Sequence, residues 1–255
     1  MPKTNRDIEL KITINKFGYL TSKQTAKYCG ISLKVAQRLL RRLARKDYLK
    51  AIPLPSKTGR SPYLYILGKR GAELLGVKQS RPRLTLNQNH LLLNIDILLE
   101  ILVYFKSTEM HCDILPESTI RRSNQHINPI PDGAFMLSRN DKVALFLIET
   151  DSGTEILKSK SDTHDDIQGK FFRYTEIFEG NHVEFAERYF SQKLTRFRTL
   201  FIFQNLTRLK TVSKLLSDKS HHFIWLTTLD ELYTHGIAGN IWKVPALKQT
   251  GKSII

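Results

Sequence analysis

Hydrophobic and polar positions alternate along the chain with a helical period first and a strand period later. ELKITINKFGYL reads as a first helix ending at Gly18. TSKQTAKYCG follows with Thr21 or Ser22 as N-cap, a short helix and a stop at Gly30. Ser32 caps a third helix, LKVAQRLLRRLARKDYL, on which Val35, Leu39, Leu40 and Leu43 cluster on one side. AIPLPSKTGRSPYLYIL then gives two β-rich runs around the turn KTGRS, and GKRGAELLG another helix. Beyond the basic linker near 79–87, LLLNIDILLEILVYF is a long apolar helix. The pattern further predicts strands at 130–137 and 142–149, a helix at about 158–179, a strand at 198–203, a helix at about 205–217 and a strand at 222–227. The closing KQTGKSII reads as a frayed tail.

The first part has the order of a winged helix-turn-helix: short helix, tight turn, basic helix, hairpin. The second has a leading helix, a β-meander, a crossover helix and further strands. The expected fold is therefore α/β (α+β), with a winged helix-turn-helix over 1–80, an α/β domain over 88–246 and a tail over 247–255. Its central mixed sheet is expected to be flanked by helices.

Charge sharpens the first assignment. Residues 1–85 hold 20 of the 40 Lys and Arg but only 4 of the 24 Asp and Glu, so the whole excess of +16 lies there. A polyanion-binding module joined to an electrically balanced one has this distribution. Lys34, Arg38, Arg41 and Arg45 form one stripe of the third helix, flanked by Gln37 and Arg42. In the major groove that stripe would contact mostly phosphate, with Gln37 as the neutral base reader. Lys57 and Arg60 at the wing tip would reach phosphate or the minor groove. The plainer alternative is a solvated face, but such a face normally mixes charge signs, and Asp47 is the acid of this segment.

In PIPDGAFMLSRNDKVALFLIETDSGTE, residues 129–155, three acids stand beside apolar strands. Glu149 and Asp151 are two apart and face one side, and pairing through SRNDK sets Asp132 beside them. Three carboxylates converging at one sheet edge make a hard-cation site for Mg²⁺ or Mn²⁺. The alternative is a surface hairpin with ordinary acids.

PD at 131–132, followed 17 residues after Asp132 by an acid ending an apolar strand, resembles the PD-(D/E)xK nuclease core. More narrowly, a winged helix followed by NHLLLNID, PDGAFML, FLIETDSGTE and GKFFRYTEIF resembles the replication-relaxation family and its MobC-type plasmid mobilisation relaxases. The resemblance implies a restriction-endonuclease-like fold and metal-dependent nicking of DNA at an origin of transfer or replication. It also implies duplex DNA, and other relaxosome or coupling proteins, as partners. The motif asks for Lys two residues after the strand acid, where this chain has Asp151; Lys170 on the following helix is the substitute, with Lys158 and Lys160 as weaker candidates. On that reading Asp132, Glu149 and Asp151 hold metal and Lys170 serves the reacting phosphate. An origin-binding factor without catalysis and an endonuclease cutting both strands remain open.

Other features argue against competing classes. No HxH with an apolar centre exists, so a tyrosine relaxase of the histidine-triad kind is disfavoured, and Tyr174 reads as core. His90 reads as a packing or capping residue, and Glu100 is a weaker candidate for an extra acid behind the metal ligands. Without GxxxxGK[ST], ATP-driven strand separation has no support. Asn94, Asp96 and Glu100 interrupt the longest apolar run, so no membrane insertion is expected. Cys29 and Cys112 without CxxC suit a reducing cytoplasm.

Overall fold

The computed structural model describes residues 3–54, 62–79, 88–123, 128–151, 153, 156–157, 166–191, 193–216 and 218–255. Two compact units emerge, Met1–Leu99 and Glu100–Ile255. In chain order the first contains α1 (Lys3–Phe17), β1 (Leu20–Thr21), α2 (Ser22–Cys29), α3 (Leu33–Arg45), β2 (Leu49–Pro53), β3 (Tyr63–Leu67) and α4 (Lys69–Leu75). Helix α5 (Gln88–Phe105) carries the chain across the division. The division thus falls inside this helix, C-terminal to the linker that the sequence suggests.

Local chemistry sets the turn between α2 and α3. Thr21 is the N-cap of a capping box: its hydroxyl accepts from the Gln24 amide at 3.2 Å, and the Gln24 side chain accepts from the Thr21 amide at 2.8 Å. Gly30 ends α2 with φ 60°, a conformation that costs glycine little. Ser32 caps α3. The buried face of α3 is Ala36, Leu40 and Leu43, with Val35 and Leu39 only partly covered, so the core stripe is rotated slightly from the expected one. Strands β1, β3 and β2 form an antiparallel sheet in that order, completing a winged helix-turn-helix. Helix α4 packs so close to the turn after α3 that a Cβ at Gly71 would lie 2.1 Å from the Tyr48 carbonyl oxygen.

The second unit continues with β4 (His111–Pro116), α6 (Glu117–Ser123), β5 (Gly133–Arg139), β6 (Lys142–Asp151) and α7 (Ile167–Glu176). A π turn at Ile177–Asn181 leads into α8 (His182–Phe190). Then come β7 (Arg196–Phe203), α9 (Leu206–Ser213), β8 (Ile224–Thr228), α10 (Leu229–His235), β9 (Trp242–Val244) and β10 (Gln249–Lys252). The sheet order is β10-β9-β8-β7-β6-β5-β4, with β6, β7 and β8 parallel and the other neighbours antiparallel. The fold is thus mixed α/β, a central mixed sheet flanked by helices. One face packs Leu145, Leu147, Phe201 and Phe203 against Ile167, Phe171, Tyr174 and Ile177. The Phe171 and Tyr174 rings meet Phe201 edge-on at 5.0 and 5.8 Å.

Three expectations change. Residues 158–165 lie outside the described residues; the helical run covers 167–190 and is broken by the π turn. Ile177, the first residue of that turn, is buried and Phe178 only partly so. KQTGKSII is not a frayed tail: β10 pairs with β9, Ser253 Oγ donates to the Ala238 carbonyl at 2.7 Å, and Ile254 is buried. Finally, β4 adds a strand to the meander that the sequence reading passed over.

Candidate active site and nucleic-acid interface

Along β6 the alternate residues Leu145, Leu147, Glu149 and Asp151 share the face covered by α7 and α9, so the strand's apolar rhythm runs straight into two buried acids. Gly133 pairs with Ile148, which puts Asp132 across from Glu149. Asp132 Oδ2 accepts from the Thr150 amide at 2.8 Å, pinning the entry of β5 to the end of β6. β6 is a central strand, so this is the end of a sheet and not the expected edge.

Helix α7 supplies the partners of Glu149. Asp166 caps it, accepting from the Gly169 amide at 2.6 Å. Lys170 Nζ then donates to Glu149 Oε2 at 2.9 Å, and the Tyr174 hydroxyl donates to Oε1 at 2.5 Å. Lys170 and Tyr174 are four apart and reach one carboxylate from one helical face. Burial pushes the Glu149 carboxyl up to about 7, with Lys170 opposing and the Asp132 charge adding to the rise. Burial and the adjacent Glu149 charge hold the Tyr174 hydroxyl well above its ordinary range.

Asp151 shares the face but not the partners. Arg208 Nε donates to its Oδ2 at 2.6 Å and the Gly153 amide to Oδ1 at 2.7 Å. Asn205 caps α9, accepting from the Arg208 amide at 2.9 Å, and so holds the first turn of that helix over the strand end. The structure therefore brings Asp132, Glu149 and Lys170 together and ties Asp151 to a buried ion pair. Among the described residues no group of three or more His, Cys, Asp or Glu side chains is placed to hold a metal ion, so the expected three-carboxylate cluster is not assembled. Sequence reasoning missed both Arg208 and the Tyr174 hydrogen bond. Lys158 and Lys160 lie outside the described residues.

In the first unit Lys34, Arg38, Arg41, Arg42 and Arg45 are exposed and Gln37 is partly buried. Arg42 is drawn aside by Asp7 of α1, at 2.8 Å. Gln37, Arg41 and Arg45 border a groove of about 1070 Å³ whose other wall includes Tyr63 and Tyr65 of β3. Lys57 and Arg60 lie outside the described residues.

Residues 12–194 match the family described as Replication-relaxation, which covers both the α3 stripe and the Glu149 site. The chain belongs to the replication-relaxation family. No curated protein matches this replication-relaxation chain. Among solved structures it is similar to the restriction endonuclease FokI, at 16% identity and a TM-score of 0.34, over 91% of this chain and 42% of that one. The same endonuclease bound to DNA gives 15% identity and a TM-score of 0.29 over 90% and 44% of the two chains. The chain thus spans less than half the length of either, and neither likeness is close enough to align one site on another. No described helix of this family member is long and apolar enough to cross a membrane.

Proposed function

We propose that this member of the replication-relaxation family is a DNA-binding protein of a mobile element that nicks DNA at an origin of transfer or replication. The carrying observation is a buried carboxylate, Glu149, held by Lys170 at 2.9 Å and facing Asp132 across the strand pair. The α3 stripe would locate the duplex through phosphate contacts, with Gln37 facing the bases.

Asp132 and Glu149 are hard oxygen donors and fit a Mg²⁺ or Mn²⁺ ion that takes its remaining ligands from water and phosphate. When bound, such an ion would supply charge neutralisation and a water acidic enough to attack near neutral pH. Lys170 would orient the scissile phosphate and offset charge developing on its oxygens. Tyr174 would hold Glu149 in place through Oε1. Asp151 would act indirectly, by fixing Arg208.

A second reading has its own observation. With Asp151 engaged by Arg208 and no third acid at Glu149 among the described residues, the same fold would serve an origin-binding accessory factor that does not cleave. One experiment separates the two: supercoiled plasmid incubated with the protein and Mg²⁺ or Mn²⁺, with and without EDTA. The nicking reading expects open-circular product that EDTA abolishes and that Lys170→Ala slows by roughly 10²-fold. Binding without any product favours the accessory factor, and product in excess EDTA removes the metal from the scheme.

A further inference from the structure

The opposite face of the same sheet carries a cationic and aromatic patch that the Glu149 site does not use. Arg196 and Arg198 open β7 two residues apart and so share a face, away from Phe197 and Phe201. Arg196 is exposed and Arg198 partly buried. The Arg198 guanidinium lies 5.3 Å from the ring centre of Trp225 on β8, and its Nη1 donates to the Phe197 carbonyl at 2.6 Å. Trp225 is itself partly covered. Burial, and then the Arg196 charge, lower the Arg198 pKa. Among the described residues neither arginine has an acidic partner.

Two adjacent guanidinium groups, one partly desolvated, repel each other unless an anion lies between them. Next to Arg196, a cavity of about 470 Å³ is lined by Arg139, Asp141, Lys142, Leu137 and Ile254. Arg139 is paired with Glu109 at 2.9 Å. The patch therefore combines cations, an indole surface and a mixed cavity whose lining includes one acid, Asp141. Phosphate alone would use the cations and leave the part of the indole not covered by Arg198 unused. A nucleotide of an unpaired strand uses both, because its base is available to stack.

We propose that Arg196, Arg198 and Trp225 form a binding site for single-stranded nucleic acid, with phosphate on the two arginines and a base against the indole. The site lies in the charge-balanced part of the chain and works without cleavage.

The test uses the full chain in EDTA, titrated with an oligothymidylate of about 12 nucleotides while tryptophan fluorescence is followed. The chain has 2 tryptophans, and Trp242 is fully buried, so quenching reports on Trp225. Wild-type protein is expected to be quenched, Trp225→Phe to show no quenching, and Arg196→Ala and Arg198→Ala each to raise the midpoint about 10-fold. Excess duplex should leave the quenching in place, because the α3 stripe takes it up. An abasic strand of equal length should bind markedly more weakly. No quenching in the wild type, quenching that persists in Trp225→Phe, or an abasic strand bound as tightly as oligothymidylate would each overturn the proposal, the last by revealing a plain anion site. Circular dichroism and duplex affinity like wild type in the variants separate these outcomes from loss of fold.

Discussion

Glu149 keeps a proton in the folded chain at pH values where an ordinary glutamate has lost it. Its folded pKa of about 7 lies above the usual 4.5, so the folded state binds more protons than the unfolded state between those values. Its contribution to stability is therefore full below about pH 4.5 and is lost as pH rises through 7. Urea unfolding in EDTA at pH 5 and pH 8 should show wild type losing on the order of 1–3 kcal/mol over that interval. Glu149→Gln should lose much less, and it should also abolish nicking while leaving duplex binding close to wild type. Asp151 behaves differently, because its charge is already matched. Arg208→Ala should cost about 3–5 kcal/mol, since it strands a buried carboxylate, and Asp151→Leu with Arg208→Leu should recover most of that loss. Equal destabilisation in the single and double variants would contradict the pairing. Strand alternation and hairpin pairing made Asp132 and Glu149 legible in the sequence, and the family resemblance pointed to Lys170 on the next helix. Arg208 was not legible: its partner lies 57 residues away, and no local pattern encodes that approach.

At the scale of elements, helix α3 was readable almost whole. Ser32, the heptad-like leucines and the cation stripe agree on one orientation, and burial of Ala36, Leu40 and Leu43 leaves Arg38, Arg41 and Arg45 outward. Replacing any of these three by Ala should weaken duplex binding several-fold and lower the salt slope by about one, measured by fluorescence anisotropy at two salt concentrations. Arg42→Ala should weaken binding less, because Asp7 already neutralises that side chain. Unchanged affinity in all three stripe variants at low salt would remove α3 from the interface. The elements that escaped the sequence reading did so for physical reasons. β4 is short, with an exposed His111 and partly covered Cys112 and Asp113 before its apolar end, so its alternation is weak. β10 has no apolar residue at all and owes its strand conformation to its partner, β9. The π turn adds one residue to a helical run, and composition alone gives no sign of it.

For the whole molecule, the uneven charge separates a basic, winged unit from a balanced sheet unit, and the two compact units reflect that separation. Their limits did not follow the linker because packing decided them. The N-terminal half of α5 is held by the winged unit, where Gln24 Nε2 donates to the Leu92 carbonyl at 3.2 Å and burial raises the Asp96 carboxyl beside Lys27. The C-terminal half, through Ile101 and Phe105, is buried in the sheet unit. A helix of 18 residues has little stability alone, so each half of α5 depends on the unit that buries it.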